Sequence, residues 1–433
     1  MKTILRDLIK DKRILILGYG REGRSSLELI RRVGGFESLF VSDLKDVSGD
    51  LPDGVKGFFG ESYQGVIDDF DVVFKSPGIV LEKQVTEYKS LITSQTEVFM
   101  QAYGDKVVGI TGTKGKSTTS SLMYHVLKTA GLKALFGGNI GIPVFELSDS
   151  VKNDSVIVLE LSCHQLEYLK TSPKRAILLN IYEDHLDHYG TREKYADAKK
   201  NIFSHQGPGD IFYTTEETYE KENLEKLCHS RVVKVSLKDA PFSNFAEISG
   251  TRLMGTHNVL NCAFVYRVCS ELGVSKDTFL EAVGTFEPLP HRLERFVAAD
   301  GRVFYDDSIS TTVESAINAV KSVNNGGILL LGGMERNLDY SELVDFLHKS
   351  RLDHIVCMYK AGERIYDLYT KGSGGPEAVL VKDLSEAVSF SVSNLRPGKA
   401  CILSPAAASY GYFKNFEERG DRFKSLVSEM IKK

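Results

Sequence analysis

No CxxC pair occurs among the six cysteines of this chain, Cys163, Cys228, Cys262, Cys269, Cys357 and Cys401. Thiols scattered in this way read as small core residues of a reduced cytosol, not as a disulfide framework. No apolar run approaches the ~18 residues of a membrane span, so none is expected. Charge of one sign is lacking too: 54 basic against 58 acidic residues give a net charge of −4. That leaves no polybasic footprint for nucleic acid or anionic lipid. A GxSxG elbow is absent and Ser404-Pro405 has no nearby histidine, which disfavours a serine triad. The opening MKTILRDLIKDKR is amphipathic and too charged for a secretion signal. A cytoplasmic protein is expected.

What remains is the composition of an ordinary globular protein, 42% hydrophobic and 26% charged. Its 433 residues suggest roughly three domains of ~150 residues. The chain is organised around VVGITGTKGKSTTSSLMYHVL, residues 107–127. An apolar β-type run enters a loop of Gly112, Thr113, Lys114 and Gly115, and Lys116, Ser117 and Thr118 open a helix. Small loop residues let backbone N–H groups face an anion, and the helix N-terminus adds partial positive charge. Lys116 has the reach for the β- and γ-phosphates and the Ser117 hydroxyl suits Mg²⁺. The common phosphate loop has Gly five positions before Gly115, where this chain has Ile110. Strand, loop and helix nevertheless follow in the order a phosphate cradle needs.

Upstream, RILILGYGREGRSSLELI (13–30) reads as a buried strand, the run Gly18-x-Gly20-x-x-Gly23, and a helix. SLFVSD ends a second strand in Asp43, placed as the ribose-binding acid of a dinucleotide fingerprint. DVVFKSPGIV ends in a Ser76-Pro77-Gly78 turn. An NAD-dependent oxidoreductase is therefore a rival reading. Such a fold binds many phosphorylated nucleosides, however, and a second phosphate site follows only ~100 residues on. A Rossmann-like domain holding a nucleotide-linked substrate is expected over 1–103, a central ATP-binding domain over 104–289 and a third domain over 290–433.

Downstream of the loop, GLKALFGGNIGIPV carries Asn139 and SVIVLELSCHQLEYL ends its strand in Glu160. An acid at the carboxyl end of a buried parallel strand beside a phosphate loop is the expected partner for Mg²⁺; the plainer alternative is a cap on the next helix. RAILLNIYEDHLDHYG leads into Glu183, Asp184, His185, Asp187 and His188. His185 is favoured as a ligand and His188 as a solvated loop residue. REKYADAKKNIFSH (192–205) reads as a helix whose Lys199 and Lys200 form a solvated basic face. LMGTHNVLNCAFVYRVC puts His257, Asn258 and Asn261 at the head of a helix. Asn258 suits an N-cap, while two amides three apart share a face and suit a purine or ribose. PLPHRLERF reads as a linker with His291 and Arg292. VFYDDSIST, GILLLGGMERNLDY, HIVCMY and KACILSP supply further strands with polar exits.

Taken in order, TGTKGKST, Glu160 with LSCHQLE, NIYEDHLDHYG, YADAKKNIF, GTHNVLN, LPHRLE, the DDS-x-x-T run, LLLGG and LSPAAASYGYFKNFEERG resemble the Mur ligases over the whole chain. The GYGREG and FKNFEERG runs are similar to the D-glutamate-adding branch. Ser117 stands where the folate-polyglutamate branch has Gly. The resemblance implies three α/β domains around a central cleft: Rossmann-like, P-loop-type with a mostly parallel sheet, and Rossmann-like again, the last closing over ATP. It implies a monomer that joins UDP-N-acetylmuramoyl-L-alanine to D-glutamate through an acyl phosphate, with ATP and two Mg²⁺. Ser117 and Glu160 would hold one ion, and Glu160 and His185 a second supported by carbamylated Lys199. Asn258, Asn261, Arg292 and Asp307 would bind ATP with the phosphate loop. Tyr19, Arg21, Glu22, Asp43, Gly78, Asn139 and His185 fall at uridine-substrate contacts, and Thr311, Arg336, Ser409 and Phe416 at amino-acid contacts. Some family members carry Lys where this chain has Ile309, and a second family lysine aligns with Arg336. Lys114 replaces the more usual Asn.

Overall fold

The structure, a computed structural model, describes residues 1–432, with the side chains of 186 and 187 outside the description, so Asp187 lies outside the described residues. Among these residues the chain forms three α/β sheets. The first comprises β1 (Arg13–Leu17), β2 (Ser38–Asp43), β3 (Lys56–Phe59), β4 (Val72–Lys75) and β5 (Leu91–Thr93). Its order, β3-β2-β1-β4-β5, is parallel throughout. The second comprises β6 (Val107–Thr111), β7 (Ala134–Gly138), β8 (Val156–Glu160), β9 (Arg175–Leu178), β10 (Ile211–Thr214) and β11 (Arg231–Lys234), in the parallel order β11-β10-β9-β6-β8-β7. The third comprises β12 (Glu294–Val297), β13 (Val303–Asp306), β14 (Gly326–Leu331), β15 (His354–Met358), β16 (Glu377–Val381) and β17 (Ala400–Leu403), in the order β12-β13-β17-β14-β15-β16. Only its β12–β13 pair is antiparallel among the described strands.

Strands covered by helices on both faces must be apolar along their whole length. β6, β14 and β17 are buried at every position, and β1 at all but Arg13. Each buried Leu, Ile or Val contributes about 1.5–3 kcal/mol relative to exposure, before chain entropy is charged against it. The leading amphipathic stretch forms a helix, Lys2–Ile9, that buries Leu5 and Ile9. In the first sheet the order reverses beside β1, so the loops after β1 and β4 border a crevice at the carboxyl edge. Ser76 ties the two loops together by donating its hydroxyl to the Gly18 carbonyl at 2.7 Å.

The described chain divides into two compact units, residues 1–248 with 257–283, and 249–256 with 284–433. The first unit holds the first two sheets and the second holds the third. The helix expected over 192–205 ends at Lys200, so Lys199 and Lys200 lie in its last turn. PLPHRLERF is more than a linker: its last residues form edge strand β12. No described helix is long and apolar enough to cross a membrane.

Candidate active site

β6 runs buried to Thr111, and Gly115, at φ +86°, turns the chain into the Lys116–Thr129 helix. Asn261 Oδ1 lies 2.8 Å from where a Cβ on Gly115 would stand, so this amide rests directly on the phosphate loop. Asn261 in turn donates to Asn258 Oδ1 at 3.0 Å. Asn258 sits inside the Thr256–Glu271 helix, not at its N-cap, which corrects the plainer expectation. The Lys116 ammonium folds back on the loop, donating to the carbonyls of Gly112 at 2.8 Å and Thr113 at 3.0 Å. Ser117 is buried and Thr118 half-buried in the first helical turn.

Glu160 ends β8, which pairs with β6 on one side and β7 on the other. Its carboxylate is buried and accepts from Asn139 Nδ2 at 2.7 Å on one oxygen and from the Ser120 hydroxyl at 3.5 Å on the other. Gly138, at φ +101°, lets β7 come close, because a Cβ there would lie 2.2 Å from the Glu160 carbonyl oxygen. The following helix is capped by Ser162, whose side chain accepts from the Gln165 N–H. Glu160 is therefore not a helix cap. A carboxylate has about four lone-pair sites, and two neutral donors leave capacity for a hard cation. The donor set of Glu160 and the Ser117 hydroxyl thus fits Mg²⁺ beside a triphosphate.

Lys199 overturns the reading of a solvated basic face. Its side chain is 1% exposed, its Nζ donates to the Gly112 carbonyl at 3.0 Å, and the Tyr195 ring lies 4.7 Å away. Burial, with Lys116 nearby, pushes its pKa down to about 7. Tyr195 also shares a hydrogen bond with Thr113 Oγ1 at 3.0 Å. Its spacing four residues before Lys199 was the signal that both face the loop. Asn180, just past β9, was missed as well. Its Oδ1 accepts from the N–H groups of Thr113 (3.1 Å) and Lys114 (2.9 Å), and its Nδ2 donates to the Lys114 carbonyl (3.1 Å).

His185 adopts φ +54°, and its backbone N–H donates to Asp184 Oδ1 at 2.9 Å. Its ring meets those of His164 and Tyr195, at centroid distances of 4.9 and 6.0 Å. His164, which sequence reasoning passed over, is pushed down to about 3 by burial and by His188 and His185, so it is neutral near pH 7. His188 is not solvated: its side chain is 8% exposed and its Nε2 lies 3.3 Å from Glu167 Oε2.

At the first sheet, Asp43 accepts from the Tyr19 N–H at 2.7 Å and the Lys45 N–H at 2.9 Å. The Arg21 guanidinium donates to the Gly141 carbonyl in the loop after β7. Glu22 turns its carboxylate to Gln165 Nε2 at 2.7 Å, and burial holds that acid above its ordinary range. Gly78 has open space where a Cβ would project.

The second unit carries Arg292, Asp307, Thr311, Arg336, Ser409 and Phe416. Asp307 is buried and accepts from Ser310, Ser404 and the Leu293 N–H at 2.5, 2.7 and 3.1 Å; burial pushes it up to about 6. Phe416 opens the last helix, and its carbonyl accepts from Ser308 at 2.8 Å. Ser409 is buried and Arg336 exposed.

The Mur ligase middle domain family matches residues 110–269. A UDP-N-acetylmuramoylalanine–D-glutamate ligase of Clostridium tetani is 31% identical over 98% of this chain and 98% of its own length. The enzyme of that name from Clostridium novyi is 29% identical with the same coverage. Among solved structures, the MurF ligase of Thermotoga maritima in complex with ADP shares the fold, with a TM-score of 0.60, 17% identity, and coverage of 100% of this chain and 99% of its own. The UDP-N-acetylmuramate–alanine ligase MurC of Thermotoga maritima does so at 0.56, with 21% identity and coverage of 96% and 98%. The chain belongs to the Mur ligase family. It is an ATP-dependent ligase of peptidoglycan-precursor synthesis, and its Gly18 fingerprint is that of a ligase, which sets aside the oxidoreductase reading.

Proposed function

We propose that this enzyme adds D-glutamate to UDP-N-acetylmuramoyl-L-alanine in the cytoplasm, in three domains bounded near residues 103/104 and 289/290. The observation that carries the chemistry is the convergence of Lys116 and Lys199 on one phosphate-loop carbonyl, at the edge where Glu160 ends β8. A substrate carboxylate and a triphosphate repel each other, so their approach needs concentrated positive charge. Lys116, released from the loop carbonyls by nucleotide, screens the γ-phosphate while the loop N–H groups hold the β-phosphate. Ser117 and Glu160 would hold one Mg²⁺ and Glu160 and His185 a second, and these ions would supply charge neutralisation between phosphate and carboxylate oxygens.

Lys199, with a neutral amine accessible near pH 7, takes up CO₂ as a carbamate and becomes an anion beside that charge. The L-alanine carboxylate attacks the γ-phosphorus and ADP leaves. The D-glutamate amine then attacks the acyl-phosphate carbonyl, and inorganic phosphate departs from the tetrahedral intermediate. Tyr19, Arg21, Glu22, Asp43, Gly78 and Asn139 hold the uridine substrate. Asn258, Asn261, Arg292 and Asp307 bind ATP, and Thr311, Arg336, Ser409 and Phe416 bind the amino acid; the family resemblance supports these roles. Lys116→Ala and Glu160→Ala test the reading: each is expected to abolish ADP release while circular dichroism stays native. Full turnover by either variant would contradict it.

A further inference from the structure

Lys75 ends β4, opposite Leu17 in the parallel register, immediately before the Ser76-Pro77-Gly78 turn. A lysine at the end of a central strand ordinarily reaches for solvent. This one is buried, with a side chain 3% exposed. Its Nζ donates to the carbonyls of Ser76 and Pro77, each at 3.4 Å, and lies 5.1 Å from the Tyr168 ring centroid. Its counter-charge comes from the end of the short helix after β8: Glu167 Oε2 at 3.6 Å. That same oxygen meets His188 Nε2 at 3.3 Å, a contact in which the imidazole donates. The His188 ring stands edge-to-face on His164 at 4.4 Å, and His164 stands edge-to-face on His185 at 4.9 Å. One acid therefore bridges the turn tied to Gly18 and the short helix that follows His185.

We propose that Lys75 is a positioning residue that acts through Glu167 and His188 to hold His185 in register with the UDP-substrate turn. The proposal rests on the reading of Gly78 as a substrate contact and His185 as a metal ligand. Partners behind a metal ligand set its orientation and commonly matter as much as the ligand itself. A pair of charges so little hydrated also fixes geometry, because losing one leaves the other unpaired. Through this path, occupancy of the substrate turn and of the metal position favour each other, and such coupling is reciprocal.

The test is calorimetric titration of the full-length enzyme with UDP-N-acetylmuramoyl-L-alanine, with and without Mg²⁺. Lys75→Met, Lys75→Arg, Glu167→Gln and the Lys75→Met/Glu167→Gln pair are compared with the wild type. Mg²⁺ is expected to tighten substrate binding in the wild type, and each neutralising variant to reduce that effect about tenfold. The double variant is expected to lose no more than either single one, as members of one path do, and Lys75→Arg to keep the effect. An undiminished Mg²⁺ effect in the neutralising variants overturns the proposal. So does a loss of affinity that is equal with and without Mg²⁺, or losses that multiply in the double variant. A wild type that fails to bind this substrate at all overturns the functional reading itself, and the proposal with it.

Discussion

Lys116 and Lys199 donate to the same acceptor, the carbonyl oxygen of Gly112, at 2.8 and 3.0 Å. Two ammonium groups so placed repel, and the buried one gives up its proton readily, which leaves a nucleophilic amine. Carbamylation turns this repulsion into attraction. In ¹³C-bicarbonate the protein is expected to show a carbamate carbonyl resonance that Lys199→Met lacks. The same spectrum from both proteins would remove the carbamate from the account.

The same lysine makes stability depend on pH. Its folded-state pKa of about 7 lies below the 10.5 of an ordinary lysine. Between those values the unfolded chain binds a proton that the folded chain does not, so stability rises with pH across that window. In CO₂-free buffer, denaturant melts of the wild type are expected to gain on Lys199→Met from pH 7 to 10. A pH-independent difference would contradict the burial argument.

Asn180 holds the phosphate loop with three side-chain hydrogen bonds, and its backbone carbonyl accepts from the Thr113 N–H as well, at 3.0 Å. Asn180→Ala keeps the backbone bond to the Thr113 N–H but leaves the Lys114 N–H and carbonyl without that partner, at about 1–3 kcal/mol. Asn180→Asp keeps the acceptor but adds negative charge beside the triphosphate. ATP affinity by calorimetry is expected to fall about tenfold or more for Asp, with a smaller loss of thermal stability than for Ala, since one charge-assisted contact is of this size.

The phosphate loop, the Gly18 fingerprint and Glu160 were legible because each is a local pattern: strand, special residues, helix. Lys199 was not, because burial of a lysine is decided by what packs over the helix, and REKYADAKK taken alone is polar. His188 was misjudged for the same reason, its partner Glu167 being 21 residues away. Strands β3, β5, β10, β11, β12 and β16 escaped notice because each is a short run of three to five residues and only β10 is mostly buried. The family resemblance supplied Lys199, which residue patterns did not.

Gly138 is a steric prediction. At φ +101°, with the Glu160 carbonyl 2.2 Å from a built Cβ, Gly138→Ala must push β7 from β8. A cost of about 1–3 kcal/mol is expected in urea unfolding. A higher Mg²⁺ requirement should accompany it, because Asn139 and Glu160 move together. Unchanged stability would show that the strands yield at no cost.

The most direct test of the central claim is phosphate release from ATP and Mg²⁺ with UDP-N-acetylmuramoyl-L-alanine across a panel of D- and L-amino acids. The account predicts turnover with D-glutamate alone, with Ile309 and Arg336 standing where some relatives have lysines. Turnover with a different amino acid, or with none, would contradict it.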